Sequence, residues 1–300
     1  MIRTVLQDIP STDGFVLAHE HLVIDLGSQK SADVVLGEQE EPFVIEDLRA
    51  AKRESLGLLA DLSVPGSGRD VKALARISRE TGVPVIAATG FYWDPFPPAV
   101  MELSRPQLAE TMIAEIESGA DGTAHRCGVI KIGMPKGTPD ETGEHLFRAA
   151  VDAALATGAA IVSHTSAVSQ APWQIDLLKS CGLPPERALV SHFCKAGLDE
   201  VLQALKAGVF IGIDQIGFAS GPGYAHLAGL VSALCRRGYE RQIILSSDMA
   251  RRSRLGRFGG ASYGTVFTEF LPHLREEGVS ERQIEAMLKD NPERLFRLQR

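Results

Sequence analysis

Ala159-Ala160-Ile161-Val162-Ser163-His164 is a short apolar run that ends in a metal-binding side chain, and the pattern recurs along the chain. Phe15-Val16-Leu17-Ala18 runs into His19-Glu20-His21, Val129-Ile130 into Lys131, Ala188-Leu189-Val190-Ser191 into His192, and Ile243-Ile244-Leu245-Ser246-Ser247 into Asp248. Continuous apolar runs of this length read as parallel strands buried on both faces, and α/β enzymes carry their chemistry at the carboxyl ends of such strands. Strands are predicted at Phe15–His19, Leu58–Leu62, Pro84–Thr89, Gly128–Ile132, Ala159–His164, Ala188–His192, Val209–Asp214 and Ile243–Ser247. Between them lie amphipathic segments, among them Val71–Thr81, Gly143–Ala156 and Leu198–Ala207, with Gly82 and Gly208 placed as helix C′ residues. Strand–helix alternation through eight strands predicts an α/β fold of (β/α)8 barrel type. A doubly wound open sheet is the alternative, but no G-x-G-x-x-G follows an early strand.

The bulk properties agree. A barrel of this kind takes roughly 250 residues plus loops, and the 300 residues read as a single domain over 1–300, with no linker or internal repeat. Hydrophobic content of 44% and charged content of 23% suit a globular protein with a large core. A net charge of −7 disfavours general affinity for nucleic acid or anionic membrane. Cys127, Cys181, Cys194 and Cys235 are scattered without a C-x-x-C pair, which suits reduced thiols rather than a disulfide framework. Met1-Ile2-Arg3-Thr4-Val5 does not open a signal peptide, and no uncharged run is long enough for a membrane span, so a cytoplasmic location is expected.

His19 and His21 stand two apart on a strand, so both imidazoles face one side and can converge on one ion. Glu20 between them faces away and is not expected to be a ligand. Lys131 sits among residues that want burial, where an unpaired ammonium costs several kcal/mol or loses its proton. It either snorkels to solvent or stays neutral and reacts with carbon dioxide to become a carbamate, N6-carboxylysine, which can bridge two ions. His164, His192 and Asp248, each unremarkable singly, gain meaning from their shared place at strand ends. Imidazole nitrogen with carboxylate or carbamate oxygen suits zinc, and also manganese or cobalt. His125, His145, His226 and His273 read as surface residues.

Leu17-Ala18-His19-Glu20-His21, Gly128-Val129-Ile130-Lys131-Ile132-Gly133, Ser163-His164-Thr165, Leu245-Ser246-Ser247-Asp248 and Asp290-Asn291-Pro292-Glu293-Arg294-Leu295-Phe296, with Asp121-Gly122-Thr123 ahead of the lysine strand, resemble the phosphotriesterase-related proteins of the amidohydrolase superfamily. The likeness runs across essentially the whole chain. It implies a (β/α)8 barrel with a binuclear metal centre of two divalent ions. His19, His21 and Asp248 would hold the more buried ion, His164 and His192 the other, and carbamylated Lys131 would bridge them with a hydroxide. Asp248 would be the catalytic proton acceptor. Many family members carry an aspartate two or three positions after the sixth-strand histidine as a proton relay. Here His192 is followed by Phe193-Cys194-Lys195, and Asp214 is a possible substitute that could equally cap its loop.

The loops point to the substrate. Tyr92 and Trp93 follow the third strand and suit an apolar face or ring. Arg251-Arg252-Ser253-Arg254 follows Asp248; Arg251 and Arg254, three apart, would clamp an anionic group if the loop continues as a helical turn. The expected activity is hydrolysis of a lactone or carboxylic ester, with an anionic (phosphorylated or carboxylated) lactone as the sharper form. An amidase of N-acyl amines or a phosphotriesterase with the same centre is the alternative, and a non-catalytic ligand-binding barrel the remote one. A small molecule is the expected partner, with no nucleic acid and no membrane, and a homodimer the expected assembly.

Overall fold

The computed structural model describes residues 1–27, 31–92, 100, 102–133 and 141–299. Eight parallel strands follow one another around a nearly closed barrel in chain order: β1 (Phe15–Glu20), β2 (Leu56–Asp61), β3 (Val85–Phe91), β4 (Val129–Gly133), β5 (Ala160–His164), β6 (Ala188–Val190), β7 (Phe210–Ile213) and β8 (Ile243–Leu245). The helices α1 (Glu41–Arg53), α2 (Val71–Thr81), α3 (Arg105–Glu117), α4 (Glu141–Thr157), α5 (Ala171–Ser180), α6 (Leu198–Lys206) and α7 (Pro222–Cys235) lie between successive strands, and Leu271–Glu276 follows β8. The fold is a (β/α)8 barrel, and each of the eight strands overlaps its sequence expectation.

Two apolar layers explain the continuous hydrophobic runs. Val16, Ala18, Leu58, Ala60, Ile86, Ala88, Val129, Ala160, Val162, Leu189 and Ile244 fill the barrel interior, while the intervening residues, such as Leu17, Leu59 and Ile130, pack outward against helices. α2 shows how a helix is fixed on that outer face. Asp70 caps it by accepting from the Lys72 and Ala73 amides at 2.9 and 3.0 Å, and Gly82 ends it with φ 63°. Its Val71, Leu74, Ala75 and Ile77 are buried, each large side chain contributing about 1.5–3 kcal/mol.

β8 and β1 do not share a regular ladder; Glu20 closes the seam instead. Its fully buried carboxylate accepts from Ser246 Oγ, Ser247 Oγ and the Ser247 amide, each at 2.7 Å, and from the Met249 amide at 2.8 Å. Burial pushes its pKa up to about 7, against those four bonds. At the opposite end, Asn291–Phe296 plugs the barrel. Leu295 and Phe296 enter the inner core beside Ile2, and Asn291 Nδ2 donates to Glu240 and Ile243 carbonyls at 2.7 Å. The terminal stretch that carried part of the family likeness is thus structural. Among the described residues no helix is long and apolar enough to cross a membrane.

Candidate metal centre

A slip in β1 sets the site. Leu17 faces Leu59 and Glu20 faces Asp61, so three steps on β1 match two on β2. The extra residue is a bulge that turns both His19 and His21 inward after Ala18 and sends Glu20 into the seam. His192 and Asp248, just past β6 and β8, are held at φ 73° and 52°, a left-handed backbone that side-chain-bearing residues adopt at a cost of about 1–3 kcal/mol and that clusters at functional sites. Hydrogen bonds maintain both: the Asp248 amide donates to the His19 carbonyl at 3.1 Å, and the His192 amide to Asp214 Oδ1 at 2.9 Å.

His19, His21 and Asp248 form one donor group. Asp248 Oδ1 lies 3.8 Å from His19 Nε2 and 3.6 Å from His21 Nε2. Donors sharing a tetrahedral zinc at ~2.1 Å lie about 3.4 Å apart, so these spacings fit one ion. His164 Nδ1 and His192 Nε2 meet at 2.8 Å in a direct hydrogen bond, and Lys131 reaches His19 Nε2 at 3.1 Å, so a second ion would take the place of these contacts. His19, His192 and Asp214 also cluster. There, however, the Nδ1 to Oδ distances of 2.8 and 3.0 Å are direct hydrogen bonds with no space for an ion. Asp214 therefore orients two ligands rather than binding metal.

Electrostatics suit cation binding. Burial, then Lys131, lower the pKa of His19 to about 4 against Asp214 and Asp248, leaving its ring neutral and able to ligate. Burial lowers that of Lys131 to about 8, also against Asp214 and Asp248. For Asp248 burial works upward, but the facing imidazoles of His21, His19 and His192 prevail, and it stays well below the usual carboxylate range. Lys131 is fully buried, 5.4 Å from the Tyr92 ring centre, and hydrogen-bonds to no carboxylate among the described residues. Gly90, at φ 118°, lets β3 approach it, since a Cβ there would lie 2.0 Å from the Lys131 carbonyl oxygen.

Supporting contacts surround these groups. His21 Nδ1 meets Ser63 Oγ at 2.8 Å, Tyr263 donates to the His21 carbonyl at 2.9 Å, and Gln215 Nε2 donates to Asp248 Oδ2 at 3.1 Å. None of these three was singled out from sequence, where isolated Ser, Tyr and Gln give no signal; Asp214 was, though not as the hub it proves to be.

The groups line a cavity of about 430 Å³, within small-molecule range. Tyr92 lies on its wall, 4.8 Å from His164 between ring centres; Trp93 lies outside the described residues. Arg251 lines the cavity, 3.4 Å from Asp33 and stacked over Phe218. Arg254 does not line it: Arg251 has extended backbone (φ −132°, ψ 130°) and the 3-10 turn begins only at Arg252, so the two share no helical face. His226, expected at the surface, is exposed yet lines the cavity with Lys195, while His125, His145 and His273 do not.

The phosphotriesterase family matches residues 2–296. The chain is 34% identical over 287 residues to the phosphotriesterase homology protein of Escherichia coli, covering 94% of this chain and 98% of that one. The crystal structure of that protein with phosphate in its active site superposes with a TM-score of 0.91 over 97% of this chain and 100% of that chain. N-acetyltaurine hydrolase of Rattus norvegicus is 30% identical over 269 residues, 85% of this chain and 77% of that protein. A lactonase from Listeria monocytogenes shares 26% identity, covers 100% of this chain and 99% of its own, and gives a TM-score of 0.90. With the same barrel and a match over nearly its full length, the chain belongs to the phosphotriesterase family and is a hydrolase.

Proposed function

We propose that this chain is a binuclear-metal hydrolase of lactones or carboxylic esters bearing an anionic group. The observation that carries this reading is the donor geometry at the cavity: His19 and His21 spaced 3.6–3.8 Å from Asp248 Oδ1, with the hydrogen-bonded pair His164 and His192 and buried Lys131 beside them. Zinc fits the donor set best, with manganese or cobalt as substitutes. Divalent ions held there supply hydroxide at neutral pH and polarise an acyl carbonyl. Lys131, as N6-carboxylysine, completes the set by replacing a buried cation with two oxygen donors.

The chain's own groups do the rest. Asp248, ionised and fixed at Oδ2 by Gln215, accepts the proton of the attacking water. Among the described residues the two nearest candidates do not pass that proton on: Gln215 cannot carry it, and both oxygens of Asp214 are taken by His19 and His192. Ile24, Leu26 and Val34 give the cavity an apolar side, while Lys195 and Arg251 give it a cationic one, which suits an acyl compound with an anionic end. The lactonase neighbour supports lactones; the N-acetyltaurine hydrolase relatives favour the second reading, an amidase of N-acyl amines. Both are attacks of water on an acyl carbonyl.

A hydrolysis screen of the zinc-loaded protein separates the readings. Lactones and carboxylic esters are expected to turn over fastest, anionic members ahead of neutral ones. Faster turnover of N-acyl amines installs the amidase reading, and no turnover of any acyl substrate or phosphotriester overturns both.

A further inference from the structure

His19 and His192 come from different strands and belong to different donor groups, yet their far ring nitrogens converge on one side chain. His19 Nδ1 is 2.8 Å from Asp214 Oδ2, and His192 Nδ1 is 3.0 Å from Asp214 Oδ1. The His192 amide donates to the same Oδ1 at 2.9 Å. Asp214 is fully buried where β7 ends. An ionised carboxylate only accepts, so each facing Nδ1 must carry the proton and each Nε2 keeps its lone pair, which accepts from Lys131 Nζ at 3.1 Å in His19 and from His164 Nδ1 at 2.8 Å in His192. His21 is set less strictly, because Ser63 Oγ at 2.8 Å can donate or accept.

We infer that Asp214 is a positioning residue that fixes the tautomer of one ligand from each ion, so that both ion sites depend on a single carboxylate. This rests on the metal-centre reading above and is independent of the substrate.

Asp214→Asn exposes the dependence because an amide has one acceptor oxygen where two are in use. If the oxygen stays on His192, the NH₂ group faces His19 Nδ1 and favours the tautomer protonated at Nε2, the nitrogen assigned to the ion. If the amide is reversed, His192 loses its acceptor. Ser191 Oγ, 3.1 Å from His19 Nδ1, is a weaker substitute for one histidine and none for the other.

The test has two readouts on the whole chain, neither of them turnover. Nitrogen-15 NMR of the imidazoles, in metal-stripped wild type, is expected to show His19 and His192 protonated at Nδ1. Metal content after equilibration in zinc buffers is expected to show two ions in wild type, both weakened about 10–100-fold in Asp214→Ala, which removes both acceptor oxygens, and chiefly one of them weakened in Asp214→Asn, which keeps one. In Ser63→Ala only one should weaken. Nε2-protonated rings in wild type, loss of one ion only in Asp214→Ala, or two ions held at wild-type affinity by that variant would each overturn the inference. Wild type that takes up no divalent ion sinks the metal-centre reading instead, and the spectrum of the stripped protein still judges Asp214 even where the variant fails to fold.

Discussion

Arg69, Glu115 and Asp121 pack outside the barrel at hydrogen-bond contact, whereas the charged groups at its mouth stand apart around a common space. Arg69, just ahead of α2, donates at 2.6 Å to each oxygen of Glu115 and to Asp121, and at 3.1 Å to the Ala88 carbonyl; only its Nε lacks an acceptor. At the mouth, Asp248 and its histidines keep 3.6–3.8 Å, too far for hydrogen bonds, and Lys131 has no carboxylate within bonding reach among the described residues. Both clusters are polar, and both hold fully buried charged side chains, Arg69 in the first and Lys131 in the second. Burial alone therefore marks neither as functional; the spacing does. The first cluster satisfies itself, and the second, on the reading proposed above, is completed by cations.

The comparison breaks most easily at the mouth. His19→Ala or Asp248→Ala should bring kcat/KM of the zinc-loaded protein down to background, with metal content below two ions per chain, because each removes a donor of one ion. A His19→Ala variant with wild-type turnover at ordinary metal concentration would mean that the cluster holds no catalytic ion.

Lys131→Ala should lose nearly as much, with a difference that sharpens the point. The gap it leaves accepts a short carboxylic acid, so acetate or propionate is expected to restore part of the turnover in a saturable way. Rescue by chloride alone, or no rescue, counts against a bridging carbamate.

Substitution in the self-satisfied cluster should act on stability alone. Arg69→Met leaves part-buried Glu115 and exposed Asp121 without their cation, and a loss between the buried and surface cases costs about 1–3 kcal/mol. Urea unfolding should register that loss, while kcat/KM per folded molecule stays at the wild-type value. A fall in turnover without a fall in stability would merge the two clusters into one functional unit.

How far each cluster was legible follows from its chemistry. Fully buried parallel strands are continuous apolar runs, so Ala160–His164 and Ile243–Leu245 announced themselves, and ligand-type residues at their ends announced the site. Glu20 was read as facing away from the histidines, but its grip on the β8–β1 seam was not legible, because it depends on a one-residue slip between Leu17 and Glu20 that strand periodicity cannot foresee. Asp214 was visible as a strand-end carboxylate, but its grip on two histidines exists only once β1, β6 and β7 are side by side. His226 looked like surface because its exposure and its place on the cavity wall are both true, and only the folded position of the start of α7 beside the cavity joins them.

Acid should separate the clusters further in the metal-stripped protein. His19 titrates at about 4 when folded, below its ordinary 6.5, so between those values the unfolded chain binds more protons than the native one. Stability then declines as pH falls through that window, by on the order of 1–2 kcal/mol between pH 7 and pH 5. His19→Gln should flatten that slope in urea titrations. An unchanged slope would place the acid sensitivity elsewhere.

The smallest effect concerns Arg251 and Arg254, which one motif supplied and the fold divided. Arg251 lines the cavity and is only loosely engaged, 3.4 Å from Asp33 with both side chains more than a third exposed. A substrate anion can therefore compete for its guanidinium, in a contact that salt partly screens. Arg254 lies off the cavity wall, so it has no such access. Losing a charge-assisted contact worth about 1.4 kcal/mol is roughly tenfold in kcat/KM. Arg251→Met is expected to cost about that for an anionic lactone, chiefly in KM, to cost little for a neutral one, and to matter less at high salt. Arg254→Met should change neither. Equal losses on both substrates in Arg251→Met would make this arginine a loop fastener through Asp33, and a loss confined to Arg254→Met would reverse the division that the extended backbone at Arg251 creates.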